Sequence, residues 1–165
     1  MTLLNSTPAV GIVGVGNMGG AIARRLLQLG FSVHVHDIDP DKTTALEKLG
    51  AVVHSNAASL SEQARTVIVC VVDHTQVDQL LDPHANPPWW KTLQAGDTVL
   101  LCPTLAPDYV ESVASRLQMH GVFTIDAPMS GGPARAEAGT MSLMVACEDA
   151  VFARQEKLLQ AMSDH

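Results

Sequence analysis

A chain of 165 residues that is 47% hydrophobic and 16% charged has the length for one domain with a sizeable core, and not the composition of a disordered segment. Ten basic against seventeen acidic residues give a formal charge of −7, and with no basic run anywhere this excludes nucleic acid and anionic membranes as natural partners. No apolar stretch reaches membrane-spanning length, and Met1 to Pro8 lacks the basic and apolar regions of a leader, so a soluble, cytoplasmic protein is expected.

Val10 to Val13 is a short apolar run that leads straight into Gly14-Val15-Gly16-Asn17-Met18-Gly19. Beyond it, Ala21, Ile22, Ala23, Leu26 and Leu27 have the spacing of a buried helix face. Strand, glycine turn, helix is the order of a phosphate-binding βα unit. The first glycine permits the tight turn, the second lets backbone approach a pyrophosphate, and the third lets the helix pack on its strand. N–H groups at the helix start then face the phosphates, and the helix dipole adds an attraction that the net charge of the chain does not. Gly30 stops the helix, and Phe31 to His36 reads as a second strand ending at Asp37. That acid stands 21 positions after Gly16, close to the spacing at which a carboxylate meets ribose hydroxyls. The stretch reads as a dinucleotide site. A plain glycine turn and a methyltransferase loop are the alternatives, and the latter usually carries an acid where this chain has Val13.

Asp39 as N-cap and Pro40 at the first position open a helix to about Leu49, stopped by Gly50. Ala51 to Val53 is a short third strand, and residues 55–63 form a loop and short helix. Thr66 to Val72 is apolar without alternation, which predicts a strand buried on both faces. Asp73-His74-Thr75 caps a helix from about Gln76 to Leu81. Asp82 to Trp90 is an irregular connection whose Trp89 and Trp90 read as packing groups rather than a substrate platform. Thr98 to Cys102 is another buried strand. A helix follows from Asp108 to His120 with Tyr109, Val113, Leu117 and Met119 apolar, and Val122 to Asp126 is a sixth strand. Strict alternation of strand and helix calls for right-handed crossovers. The predicted fold is α/β: a Rossmann-type doubly wound, mostly parallel sheet in three αβα layers, one domain over residues 1–165. Cys70, Cys102 and Cys147 lie in apolar runs without metal or redox spacing and read as buried inert thiols. His34 and His36 alternate with valines as one polar face, and no metal is expected.

After the sixth strand comes Asp126-Ala127-Pro128-Met129-Ser130-Gly131-Gly132, continuing to Gly139-Thr140-Met141. A loop at this end of a strand borders the ligand crevice of an open parallel sheet. The Ser130 hydroxyl and the unhindered N–H groups of Gly131 and Gly132 suit a small substrate's carboxylate or hydroxyl, although a glycine turn without a ligand has the same spacing.

Together these motifs resemble the β-hydroxyacid dehydrogenase family, which includes 3-hydroxyisobutyrate dehydrogenase, tartronate semialdehyde reductase, L-threonate-type dehydrogenases and 6-phosphogluconate dehydrogenase. Gly14 to Gly19 is similar to the family's cofactor loop, including Met18 before the third glycine. Val71-Val72-Asp73 is similar to its adenosine-side segment, where members often have Leu-Pro in place of the two valines. Cys102 to Pro107 resembles the segment whose Thr, here Thr104, lies near the nicotinamide riboside. Asp126 to Met141 resembles the substrate signature and is the most specific match. The resemblance implies an oxidoreductase that oxidises a small 3-hydroxy acid, or reduces the matching semialdehyde or keto acid. Gly14, Val15, Gly16, Asn17, Met18, Gly19, Asp37, Ile38, Val71, Val72 and Thr104 would bind the cofactor, and Ser130, Gly131 and Gly132 the substrate. It also implies a strand over Met141 to Ala146. A closing helix from Glu148 to Met162 would pack through Val151, Phe152, Leu158, Leu159 and Met162.

The family has a second, mostly helical domain with a Gly-rich turn, a catalytic Lys and most of the subunit interface, through which full-length members form homo-oligomers. This chain ends at His165 before such a motif, and Lys42, Lys48, Lys91 and Lys157 stand in other contexts. A positioned acid–base group contributes about 100- to 10,000-fold, so the expectation is NAD binding without turnover and no catalytic residue in this chain. Asp37, with Asp39 close behind and no Arg following, predicts NAD over NADP. The alternatives are a non-catalytic dinucleotide-binding or sensing module and a pyrroline-5-carboxylate-reductase-like enzyme. Gly16 to Ala21 suits the latter, and the Asp126 to Thr140 signature argues against it.

Overall fold

The computed structural model describes residues 8–164. The reading of the first residues as no leader concerns residues 1–7, which lie outside that range. Val10–Val13 (β1), Val33–His36 (β2), Val52–Val53 (β3), Thr66–Val69 (β4), Thr98–Leu101 (β5) and Phe123–Asp126 (β6) form one sheet. Its order is β3-β2-β1-β4-β5-β6, and every neighbouring pair is parallel. The connections are helices Asn17–Gln28 (α1), Pro40–Glu47 (α2), Ala57–Ser61 (α3), His74–Leu80 (α4) and Pro107–Gln118 (α5). Helices cover both faces, giving the Rossmann-type αβα sandwich.

The apolar strands divide their residues between two cores because successive side chains point to opposite faces. Ile12, Val35, Ile68, Leu100 and Ile125 face α1 and the C-terminal helices, whereas Val67, Val69, Val99 and Leu101 face α3, α5 and Trp89. Strand order reverses between β1 and β4, and in such sheets the crevice at this switch point is where ligands bind. Among the described residues no helix is long and apolar enough to cross a membrane.

After β6 the chain forms Met129–Ser130 (β7), Gly132–Ala138 (α6), Ser142–Leu143 (β8) and Asp149–Met162 (α7), with β7 antiparallel to β8. The expected strand over Met141 to Ala146 is thus two residues long, extended by isolated bridges from Asp126 to Ala146 and from Met141 to Ser163. Phe152 is 42% exposed, so it does not belong to the packed face given to it, and Met119, the C-cap of α5, is 77% exposed. Each sits beside its helix's true stripe, which is Val113 and Leu117 in α5 and Val151, Leu158, Leu159 and Met162 in α7. Trp89 is buried, and its indole N–H donates to Ser61 Oγ, which bears out the packing role. Only Cys102 is buried; Cys70 and Cys147 are half-buried.

Candidate dinucleotide site

At the end of β1, Gly14 N–H still donates to the β2 carbonyl of His36 at 2.9 Å, and the chain then turns out of the sheet at φ +86°. A Cβ on Gly14 would lie 2.6 Å from the Cys70 carbonyl oxygen, and one on Gly19 would lie 1.9 Å from the Gly14 oxygen. The first and third glycines are therefore demanded by the chain's own packing. Gly16 is not: a Cβ there would meet nothing within 4 Å, and its φ of −65° suits any residue. What the second glycine leaves clear is open space above the loop, the cradle into which a pyrophosphate would fit.

The first intrahelical bond of α1 runs from Gly20 N–H to Gly16 O at 2.8 Å, and no side chain caps the helix. By helix geometry the N–H groups of Asn17, Met18 and Gly19 have no intrahelical acceptor, and they stand at the positive end of a twelve-residue dipole. No acid sits in the first turn to compete with an anion. The donors and the space fit a phosphate group.

A groove of about 260 Å³ adjoins this loop and is lined by Gly14, Gly16, Asp37, Ile38, Val71 and Val72, six of the predicted residues brought together from three strand ends. Ile38 (87% exposed) and Val72 (79% exposed) offer apolar side chains at its rim with no protein partner to cover them. Val15 and Met18 do not line the groove. The Val15 side chain is buried and Met18 packs against the same core, so they can offer a ligand backbone only. Thr104, exposed, follows β5, and Ser130, also exposed, ends β7 beyond β6, which sets both at the C-terminal edge of the sheet. Ser130-Gly131-Gly132 is not a plain loop. Gly131 and Gly132 take φ of +131° and +75° to turn the chain from β7 into α6.

Three groups of this groove were missed. Lys42 lies 3.6 Å from Asp37 Oδ1 and 3.9 Å from Asp39 Oδ2, and its place three residues after Asp39 was the available signal. Gln76 accepts the Val72 N–H at 2.9 Å and holds the adenosine-side segment out of the sheet. Cys70 lines the groove floor. A hydrogen bond from the Cys102 thiol to Cys70, reinforced by burial, pushes Cys102 well above its ordinary range, which keeps it protonated and unreactive. Burial alone pushes the Asp126 carboxyl up. Among the described residues no group of three His, Cys, Asp or Glu side chains is arranged to hold a metal.

Comparison with known proteins gives a consistent picture. The family profile described as the NAD binding domain of 6-phosphogluconate dehydrogenase matches residues 9–165. The chain is 30% identical over 154 residues to an L-threonate dehydrogenase of Cupriavidus necator, covering 93% of this chain and 51% of that protein. It is 31% identical to the mitochondrial 3-hydroxyisobutyrate dehydrogenase of Drosophila melanogaster, covering 93% of this chain and 46% of that one. A solved structure of Psf3 in complex with NADP+ and 2-OPP superposes with a TM-score of 0.88 at 32% identity, over 93% of this chain and 54% of that one. The chain spans about half the length of the curated relatives it matches.

Proposed function

The chain belongs to the family of the NAD binding domain of 6-phosphogluconate dehydrogenase, and from that membership we propose that residues 1–165 form the cofactor domain of an oxidoreductase acting on a small 3-hydroxy acid. The observation that carries the proposal is Gly16, the one glycine of the loop that packing within the chain does not explain. The pyrophosphate sits on the N–H groups of Asn17, Met18 and Gly19, and the adenosine lies in the groove between Ile38 and Val72. Thr104 borders the nicotinamide end, and Ser130, Gly131 and Gly132 hold the substrate carboxylate or its neighbouring hydroxyl. The bound dinucleotide supplies the hydride chemistry.

The preferred cofactor in this reading is NAD. A 2′-phosphate would meet the Asp37 and Asp39 carboxylates, and the cation at that lip, Lys42, is already paired with both. The chain alone does not turn over. Lys91 stacks on Trp90 and Lys157 on Phe31, which precede β5 and β2, and Lys48 follows α2; Lys42 sits on the adenosine side. None stands by Ser130 to take a hydroxyl proton.

Calorimetric titration of the 165-residue chain with NAD and NADP tests both parts. NAD should bind at least about tenfold more tightly, the weight of roughly 1.4 kcal/mol, and addition of 3-hydroxyisobutyrate or L-threonate should produce no reduced nicotinamide. Tighter NADP binding would overturn the cofactor choice, and steady turnover would overturn the assignment of the acid–base group elsewhere.

A further inference from the structure

The carboxylate that the spacing gives to the ribose is already at work inside the protein. Asp37 Oδ2 accepts the Val15 N–H at 2.8 Å, Oδ1 accepts the Asp39 N–H at 2.9 Å, and the Lys42 ammonium stands 3.6 Å from Oδ1. The Asp37 side chain is 6% exposed. An ionised carboxylate offers about four lone-pair sites, so these two N–H donors leave roughly two for a ligand, beside the Lys42 ammonium.

The Val15 N–H needs that acceptor. The β1 ladder ends with Gly14 N–H on the His36 carbonyl, and the turn at Gly14 then carries Val15 beyond the last sheet partner while its side chain goes into the core. A buried backbone N–H left without a partner is costly, and Asp37, the first residue past β2, is the group that reaches it. Asp37 is itself held by the Asp39 N–H at the start of α2. The chain thus ties the end of β2 to the segment between the first and second glycines, where a shift of the backbone would misdirect the donors of α1.

We propose that Asp37 is a positioning residue for the phosphate loop, fixing Val15 so that Gly16 to Gly19 present their N–H groups in register, with its ribose contact confined to the lone pairs that the Val15 and Asp39 N–H groups leave free. The inference about binding rests on the dinucleotide reading above; the inference about the loop does not. An Asn keeps a side-chain oxygen for the Val15 N–H and loses the charge, whereas an Ala loses both.

Two measurements on the 165-residue chain separate the roles. The first is hydrogen exchange at the Val15 amide without ligand. Asp37→Ala should speed it by about tenfold or more, the weight of a charge-assisted bond, and Asp37→Asn should keep most of the protection. The second is affinity for NAD and for an NAD analogue lacking both adenosine-ribose hydroxyls. Asp37→Ala should weaken the analogue by about tenfold although it has no hydroxyl to lose, and Asp37→Asn should hold it within roughly threefold of the unmodified chain. Wild-type exchange in Asp37→Ala, or analogue affinity untouched by it, overturns the proposal. If that variant does not fold, loss of Val15 protection in Asp37→Asn overturns it instead. Should the unmodified chain bind neither ligand, the dinucleotide reading fails while exchange still decides the loop.

Discussion

The Gly14–Gly19 turn leaves β1 of the six-stranded sheet and the Ser130–Gly132 turn leaves β7 of the two-stranded one, and the two connections are held in place by different means. The first is shaped by atoms close in space on β1, β4 and the turn itself: the Gly14 oxygen against Gly19, the Cys70 carbonyl against Gly14. In the second, it is the far end of α6 that is held, by neighbouring helices. Arg24 of α1 pairs with Glu137 at 2.9 Å, and Arg25 lies against Gly139 while its Nε donates to the Ala161 carbonyl of α7 at 3.1 Å. A left-handed Gly139 at φ +73° ends α6 against that guanidinium. The first turn is a close fit of backbone atoms tied by Asp37 to the end of β2, and the end of α6 beyond the second turn is set by its neighbours α1 and α7.

The strongest test of that contrast is Gly19→Ala, whose Cβ would need the backbone of Gly14 to move. It should cost about 3 kcal/mol or more of stability and reduce dinucleotide affinity at least about a hundredfold. Gly16→Ala is its control, expected to leave stability within about 0.5 kcal/mol while dinucleotide affinity falls about tenfold. Equal loss of stability in the two variants would erase the distinction drawn between chain-imposed and ligand-imposed glycines. At the far end of α6, Gly139→Ala should cost about 2 kcal/mol, from the left-handed conformation and from a Cβ placed 2.5 Å from Arg25 Nε, with dinucleotide affinity nearly unchanged. Adding Arg25→Ala should return the steric share, which a double-mutant cycle in urea reads directly.

The smallest effect belongs to the outer edge of the adenosine half. His34 Nδ1 and His54 Nε2 share a hydrogen bond at 2.8 Å, and His36 Nδ1 meets the His54 carbonyl at 3.0 Å. Burial first, and the His54 charge second, hold His34 below its ordinary value of 6.5; burial first, then His36, do the same to His54 against the pull of Glu62. The unfolded chain therefore binds more protons than the folded one as pH drops through about 6.5, so stability rises with pH across that window and is lost on acidification. Denaturant midpoints between pH 7.5 and 5.5 should show this slope, and His54→Gln should flatten it.

Much of the first region was legible because its signals are local. Val10 to Val13, the three glycines and Asp37 each carry their own geometric demand, and the sheet order follows from alternation and handedness. The strand over Thr66 to Val72 was overextended for a physical reason. Valine suits a buried strand and a groove wall equally, and nothing in the residue types of Val71 and Val72 says that the ladder ends with the Cys70 N–H on Val13 and that Gln76 then takes the Val72 N–H. The second region was legible as a signature and not as a shape. Strands of two residues carry no periodicity, and α6 exists because α1 offers it a surface, a fact spread over more than a hundred residues of sequence. The pairing of Lys42 with Asp37 was not legible because the NAD reading rested on the absence of an Arg after Asp37, and Lys42 was weighed only as a catalytic base.

The helix that closes the chain also sets an order in time. Gln155 Nε2 of α7 donates to Thr66 Oγ1 at 3.0 Å and to Thr98 Oγ1 at 3.2 Å, and Met162 is fully buried beside α1. During synthesis the face covered by α3 and α5 can be closed once β6 has emerged. The α1 face must wait for α7, which supplies part of its cover. A ribosome making this protein therefore holds, until α7 appears, a sheet with one side finished and the other still wet.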